Sequence, residues 1–302
     1  MRRKSAFVKE TEKTAGDCLR RIIASRTGKS NKSAGLGRLT GVFVRRLAGA
    51  TAFARVRAAV FRNEAPVSDL PELIFCPGLL CDEALWRPQA TALGGRLAMR
   101  VADTTKDDTI AGMAARLLAD APPRFALAGL SMGGYLALEV LRQARERVTR
   151  VALLDTSARP DTEEQQERRR ALMRMAQVGR FKGVTPRLLP LLIHPDRMED
   201  AALVETIIGM AQRIGREGFL RQQNAILTRA DSVPDLPGFT CPALVIVGRQ
   251  DALTPPERAE EIAAGLPNAK LVILENCGHL ASLEQPDIVA DLFEDFFLTE
   301  AA

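Results

Sequence analysis

Residues 125–136, Phe-Ala-Leu-Ala-Gly-Leu-Ser-Met-Gly-Gly-Tyr-Leu, constrain the fold of this chain more than any other stretch. The apolar run Phe125 to Ala128 has the length of a buried parallel strand, and the apolar-periodic Tyr135 to Leu141 has the spacing of a helix. Between them, Gly129-Leu130-Ser131-Met132-Gly133 leaves no room for a loop, so strand must turn sharply into helix. A serine on such a turn is driven toward φ > 0, its hydroxyl stands out at the carboxyl edge of the sheet, and its neighbours must be small. Gly129 and Gly133 meet that demand, and Gly134 lets the helix approach the strand. Gly-x-Ser-x-Gly arises by chance in roughly one chain in twenty of this composition. The motif therefore gains meaning only if the chain also supplies a base and an acid. A phosphate-binding or idle glycine turn is the competing reading.

The elements around this turn alternate. Leu73 to Cys76, Arg96 to Val101, Val151 to Leu154, Ala243 to Val247 and Lys270 to Leu274 read as strands. Helical faces separate them: one beginning near Trp86, one carrying Ile110, Met113, Ala114, Leu117 and Leu118, one starting at Thr254-Pro255-Pro256, and Pro286 to Leu298 at the end. Strand–helix alternation of this kind predicts a doubly wound α/β fold with a mostly parallel sheet of about six strands. Residues 160–235 break the rhythm. They hold no good strand but four amphipathic stretches, Glu163–Val178, Val184–Ile193, Ala201–Ile214 and Gly218–Leu227. This predicts a helical insertion covering the carboxyl edge as a cap.

The net charge of +5 is unevenly spread. Residues 1–70 hold 16 Lys/Arg against 5 Asp/Glu, leaving 26 against 32 for the rest, so the basic character belongs to the front segment. That segment, residues 1–66, reads as a basic extension, disordered or partly helical, ahead of a domain spanning 71–298. Within it, residues 42–62 place Phe43, Leu47, Phe53 and Val56 near helical spacing among arginines. A membrane-surface helix or a transit peptide would look like this. So would a solvated extension, or a start assigned upstream of the true one, since Val67 sits just before the first strand. The last two are preferred. The segment lacks the aromatic interleaving of a nucleic-acid module, and no run approaches 18 apolar residues, so neither nucleic acid nor an integral membrane segment is expected. The five cysteines are odd in number and without Cys-x-x-Cys pairing. They read as reduced thiols of a cytoplasmic protein. Cys76 and Cys81 have no histidine nearby to complete a metal site, so neither metal nor cofactor is expected.

A serine hydroxyl is a poor nucleophile until a base takes its proton. Histidine can take that proton and return it to a leaving group, and a carboxylate on its other nitrogen fixes the tautomer. The chain has two histidines. His194 lies within the helical insertion before Pro195, where a surface or capping role is expected. His279 follows the last strand, past Glu275-Asn276-Cys277-Gly278, and is the candidate base. Asp251 follows the penultimate strand and is the candidate acid. Asp155, after the strand that follows the serine helix, is the runner-up, with hydrogen bonding at the pocket floor as its expected role.

From about residue 71 to 298 the chain resembles the α/β-hydrolase family, particularly its capped esterase- and lactonase-like members. The resemblance rests on Gly129-Leu130-Ser131-Met132-Gly133-Gly134, on Gly248-Arg249-Gln250-Asp251 with Thr254-Pro255, and on Gly278-His279 with Glu284-Gln285-Pro286. It implies a Ser131–His279–Asp251 triad and an oxyanion hole of the Leu79 and Met132 backbone N–H groups. Pro77-Gly78 stands where many members have His-Gly, a change that spares a backbone donor. The family's two leading antiparallel strands have no counterpart, so six strands, all parallel, are expected. Serine at the turn excludes the members that attack with aspartate. The implied activity is hydrolysis of a small to medium carboxylic ester or lactone through an acyl-enzyme, with Leu79, Leu80, Trp86, Met132 and Leu280 as an apolar acyl pocket. Acyl transfer, perhydrolysis, C–C hydrolysis and non-catalytic ligand binding use the same constellation.

Overall fold

The computed structural model describes residues 70–179 and 181–299, so the readings for residues 1–66 lie outside the described residues. Six strands form one sheet: β1 (Glu72–Cys76), β2 (Met99–Val101), β3 (Phe125–Leu130), β4 (Val148–Leu154), β5 (Ala243–Gly248) and β6 (Ala269–Leu274). All pairings are parallel, in the order β2-β1-β3-β4-β5-β6, as the sequence leads one to expect. Helices α1 (Arg87–Leu93), α2 (Ile110–Asp120) and α3 (Met132–Ala144) connect the first four strands. Between β4 and β5 lie α4 (Glu163–Val178), the single turn α5 (Leu189–Leu192) and α6 (Ala201–Leu227). The chain continues with α7 (Pro256–Gly265), the turn α8 (Ala281–Glu284) and α9 (Pro286–Phe297).

Every residue of β3 and β5 is buried, which explains their unbroken apolar sequences: both faces of the sheet are covered. Alternate side chains still part company. Ile74, Leu127, Val151, Leu153 and Val245 join one core with α2, α3 and α7. Phe75, Ala128, Leu130, Leu154 and Ile246 join the other with α1, α9 and much of the insertion. In that second core Phe75, Trp86 and Phe293 stack on one another, their centroids 5.1 to 6.5 Å apart. Each buried ring contributes about 1.5–3 kcal/mol by leaving water, and each aromatic pair about 0.5–1.5 kcal/mol more. Trp86, expected to wall the acyl pocket, belongs to this core. Its ring is fully buried against two phenylalanines and serves the core.

The insertion follows its sequence closely at one end and less so in the middle. Helix α4 begins where Thr162 and Gln165 form a reciprocal capping box. The helix expected over Val184–Ile193 shrinks to one turn, because Pro186 and Pro190 withhold N–H groups that a longer helix needs. The two helices expected at Ala201–Ile214 and Gly218–Leu227 are halves of α6, kinked at Gly215 (φ 68°, ψ −177°). Contacts tie the insertion to the carboxyl edge of the sheet: Arg213 Nε lies 2.6 Å from Asp82 Oδ2, and the His279 N–H donates to Leu192 O at 3.1 Å. Among the described residues no helix is long and apolar enough to cross a membrane.

Candidate active site

Parallel strands bring all their carboxyl ends to one edge. Because β2 lies outside β1, the connections leaving β1 and β3 run in opposite directions and open a crevice between the two strand ends. Ser131 stands there, the first residue after β3, with φ 56° and ψ −115°. Left-handed backbone at a residue with a side chain costs about 1–2 kcal/mol, and the surroundings hold it. The Ser131 N–H donates to Leu154 O at 3.0 Å, and its carbonyl accepts from Gly134 N–H (2.9 Å) and from Thr156 Oγ1 (2.8 Å). A Cβ on Gly133 would lie 1.8 Å from Cys76 O, so only glycine lets the serine turn pack against the end of β1.

Asp251 and His279 come from the loops after β5 and β6, beyond β4 on the same edge of the sheet. His279, in the loop after β6, puts Nε2 2.9 Å from Ser131 Oγ and Nδ1 2.8 Å from Asp251 Oδ2. The three side chains thus form a continuous hydrogen-bonded chain. Asp251, after β5, is saturated with donors. Its Oδ1 accepts from Leu253 N–H (2.8 Å) and Thr254 N–H (2.9 Å), and its Oδ2 also accepts from Thr254 Oγ1 (2.7 Å). Burial works against its charge, but the imidazole and these bonds outweigh burial and hold the carboxyl below its ordinary value. Burial likewise works against a charged His279. The opposing pull, first from Asp251 and then from Asp155 and Glu284, wins and raises its pKa above 6.5.

Two further buried carboxylates frame this group. Asp155 is fully buried, and its oxygens accept main-chain N–H groups of Gly248 (2.9 Å) and Ala281 (3.0 Å). It lies under the loops that carry Asp251 and His279, with the Nδ1 position of His279 taken by Asp251. Burial, and then the negative charge of Asp251, push its pKa well up. Glu284, on α8, accepts from Gly278 N–H (3.0 Å) and Leu280 N–H (3.1 Å), the residues on either side of His279, and from His194 N–H in the insertion (2.6 Å). The sequence signals this residue only as part of a motif. Its grip on the main chain leaves no trace in spacing. His194 caps a short 3-10 turn, its Nδ1 accepting from Asp196 N–H at 3.2 Å, as a capping role requires.

The loop after β1 faces the serine from across the crevice. A Cβ on Gly78 would lie 3.5 Å from Ser131 Cβ. Among the described residues, neither Leu79 N–H nor Met132 N–H donates to a protein acceptor, and Met132 opens the thirteen-residue helix α3, whose amino end favours negative charge. Leu80 and Leu280 are buried in the second core, while the Met132 side chain points into the first. A cavity of about 320 Å³ opens beside this loop, lined by Pro77, Asp82, Asp103, Thr104, Arg213 and Ile214 among others; Ser131 and His279 do not line it. Burial pushes the thiols of Cys76 and Cys81 up to about 12, so neither offers a thiolate here.

Residues 69–292 match the family model of the alpha/beta hydrolases. The chain belongs to the alpha/beta hydrolase family. This hydrolase is 25% identical over 240 residues, 74% of its own length and 94% of the relative's, to a pimeloyl-[acyl-carrier protein] methyl ester esterase of Nitrosomonas europaea. Among solved structures it is similar to a thermophilic esterase from Thermogutta terrifontis with malate bound, at 29% identity and TM-score 0.67, covering 77% of this chain and 90% of that one. An enol-lactonase from Burkholderia xenovorans aligns at 26% identity and TM-score 0.69, covering 77% and 93%.

Proposed function

We propose that this hydrolase cleaves a small to medium carboxylic ester or lactone through an acyl-enzyme, with Ser131 as nucleophile, His279 as base and Asp251 as its acid partner. The carrying observation is the unbroken chain from Ser131 Oγ through both ring nitrogens of His279 to Asp251 Oδ2. Ser131 Oγ attacks the substrate carbonyl as its proton passes to His279 Nε2. The carbonyl oxygen becomes an anion held by the Leu79 and Met132 N–H groups. Collapse breaks the ester C–O bond, and the imidazolium returns the proton to the departing alcohol. Water then attacks the acyl-serine, its proton goes to His279, and the acid leaves as Ser131 recovers its hydrogen. Two esterases and an enol-lactonase among the relatives turn the reading toward carboxylic esters and lactones.

Residues 160–235 serve in this reading as the cap that shapes the acyl pocket, with Leu79, Leu80 and Leu280 at its floor. Four free cysteines among the described residues suit a cytoplasmic setting. The test is intact-mass analysis after treatment with a fluorophosphonate. One adduct is expected on the parent, none on Ser131→Ala, and slowed labelling on His279→Ala. A folded parent that takes no adduct sinks the proposal.

A further inference from the structure

The amide of Gln222 sits where a polar side chain is costly. It is fully buried on the second half of α6, in the insertion, and both ends of its amide are engaged. Its Oε1 accepts the N–H of Leu80 at 3.0 Å, and its Nε2 donates to Thr104 Oγ1 at 3.0 Å. Leu80 belongs to the turn that carries the Leu79 donor. The Cys81 N–H closes that turn onto Gly78 O at 3.1 Å, which makes Leu80 its third residue, and Leu80 has φ 60°. Positive φ at that place marks the turn type that ordinarily requires glycine. A leucine there favours flipping the central peptide, the Leu79–Leu80 amide, back to the commoner turn. Gln222 grips that amide by its N–H.

We infer that Gln222 is a positioning residue for the oxyanion hole: by holding the Leu79–Leu80 peptide it aims the loop after β1 at Ser131 and makes the hole depend on the seating of α6. The same half of α6 is docked beside it by Arg221 onto Thr105 O (3.2 Å) and by Asn224 onto Asp108 O (3.1 Å), so the grip comes from a fixed support. This rests on the proposed hydrolase reading and adds to it a residue outside every motif of the sequence.

The experiment compares Gln222→Met, which keeps the volume and loses both hydrogen bonds, with Gln222→Glu, which keeps an acceptor for Leu80 in either protonation state. Steady-state hydrolysis of an ester of the parent's own preference is followed across pH. Displacing an oxyanion donor costs less than removing one, which is worth about 100-fold or more. Gln222→Met is therefore expected to lose roughly tenfold or more in kcat, with KM within about twofold and the His279 inflection unmoved, and Gln222→Glu to recover most of the loss. A folded Gln222→Met with parental kcat overturns the inference, as does an equal loss in both variants or an inflection that moves with kcat. If Gln222→Met does not fold, Thr104→Val, which frees the far end of the amide, must lower kcat at constant KM or the inference fails. Fluorophosphonate labelling of the parent is run beside these: no adduct on the parent overturns the hydrolase reading itself, whereas a labelled parent with an unaffected Gln222→Met overturns the positioning role alone.

Discussion

Three carboxylates crowd the imidazole of His279, and only Asp251 touches it. The others hold main-chain amides, so substitution separates their parts. Asp251→Asn leaves the ring nitrogen facing the wrong tautomer and is expected to lower kcat about 10⁴-fold in folded protein. Asp155→Asn sets an amide nitrogen against the N–H of Gly248 or Ala281. It should cost about 1–3 kcal/mol in stability and far less in rate. Urea unfolding alongside steady-state kinetics reads both, and a rate loss at Asp155 as deep as that at Asp251 would make Asp155 the acid. The pH dependence follows from direction. In the proposed mechanism the base must be neutral, and the His279 pKa is raised, so kcat/KM should climb through an inflection above 6.5. The stability that His279 contributes is complete below its unfolded pKa and is lost as pH rises through the folded one. Activity and stability thus titrate oppositely through one ring. A parental inflection below 6.5 contradicts this. Ser131, Asp251 and His279 stood out as candidates because each lies within five residues of the end of an apolar strand run, and the structure brings the three together. Gln222 was not legible, because it holds a backbone amide 142 residues away that the tertiary fold alone brings near. Trp86 was ambiguous for a related reason: a lone tryptophan after a strand suits a pocket wall and a core equally, and its stacking on Phe75 and Phe293 is a tertiary fact.

At the scale of elements, α6 shows how a glycine can serve conformation alone. A Cβ at Gly215 would meet nothing within 4 Å, yet its φ of 68° penalises any other residue. Gly215→Ala should therefore cost about 1–2 kcal/mol, a purely backbone effect. Chemical denaturation measures it, and a stabilised variant would mean that α6 straightens without loss. The sheet was legible strand by strand, though the starts of β2 and β4 each lie three residues from the expected ones, because buried parallel strands announce themselves as short apolar runs. The middle of the insertion was not. Val184–Ile193 has the apolar density of a helix, but two prolines within it decide the outcome by removing donors, and density alone does not register that.

Over the whole molecule, burial is graded. All six residues of β3 and of β5 are buried, whereas α4 buries only Ala176 and leaves Met175 and Val178 largely exposed. Local opening should follow this gradient. Hydrogen exchange read by mass spectrometry is expected to show α4 amides exchanging orders of magnitude faster than those of β3 and β5. Equal protection would mean that α4 is covered in solution.

The order of the strands also sets a schedule. Ser131 is made 148 residues before the histidine it leans on, and Asp251 precedes that histidine by 28. Domains generally fold as units during synthesis. Until β6 has paired with β5, position 131 carries an ordinary alcohol, however well its own turn has formed. On the proposed reading the nascent chain is therefore harmless to the esters around it. Reactivity, on the same reading, waits for His279, and a chain cut short anywhere before that residue never acquires it.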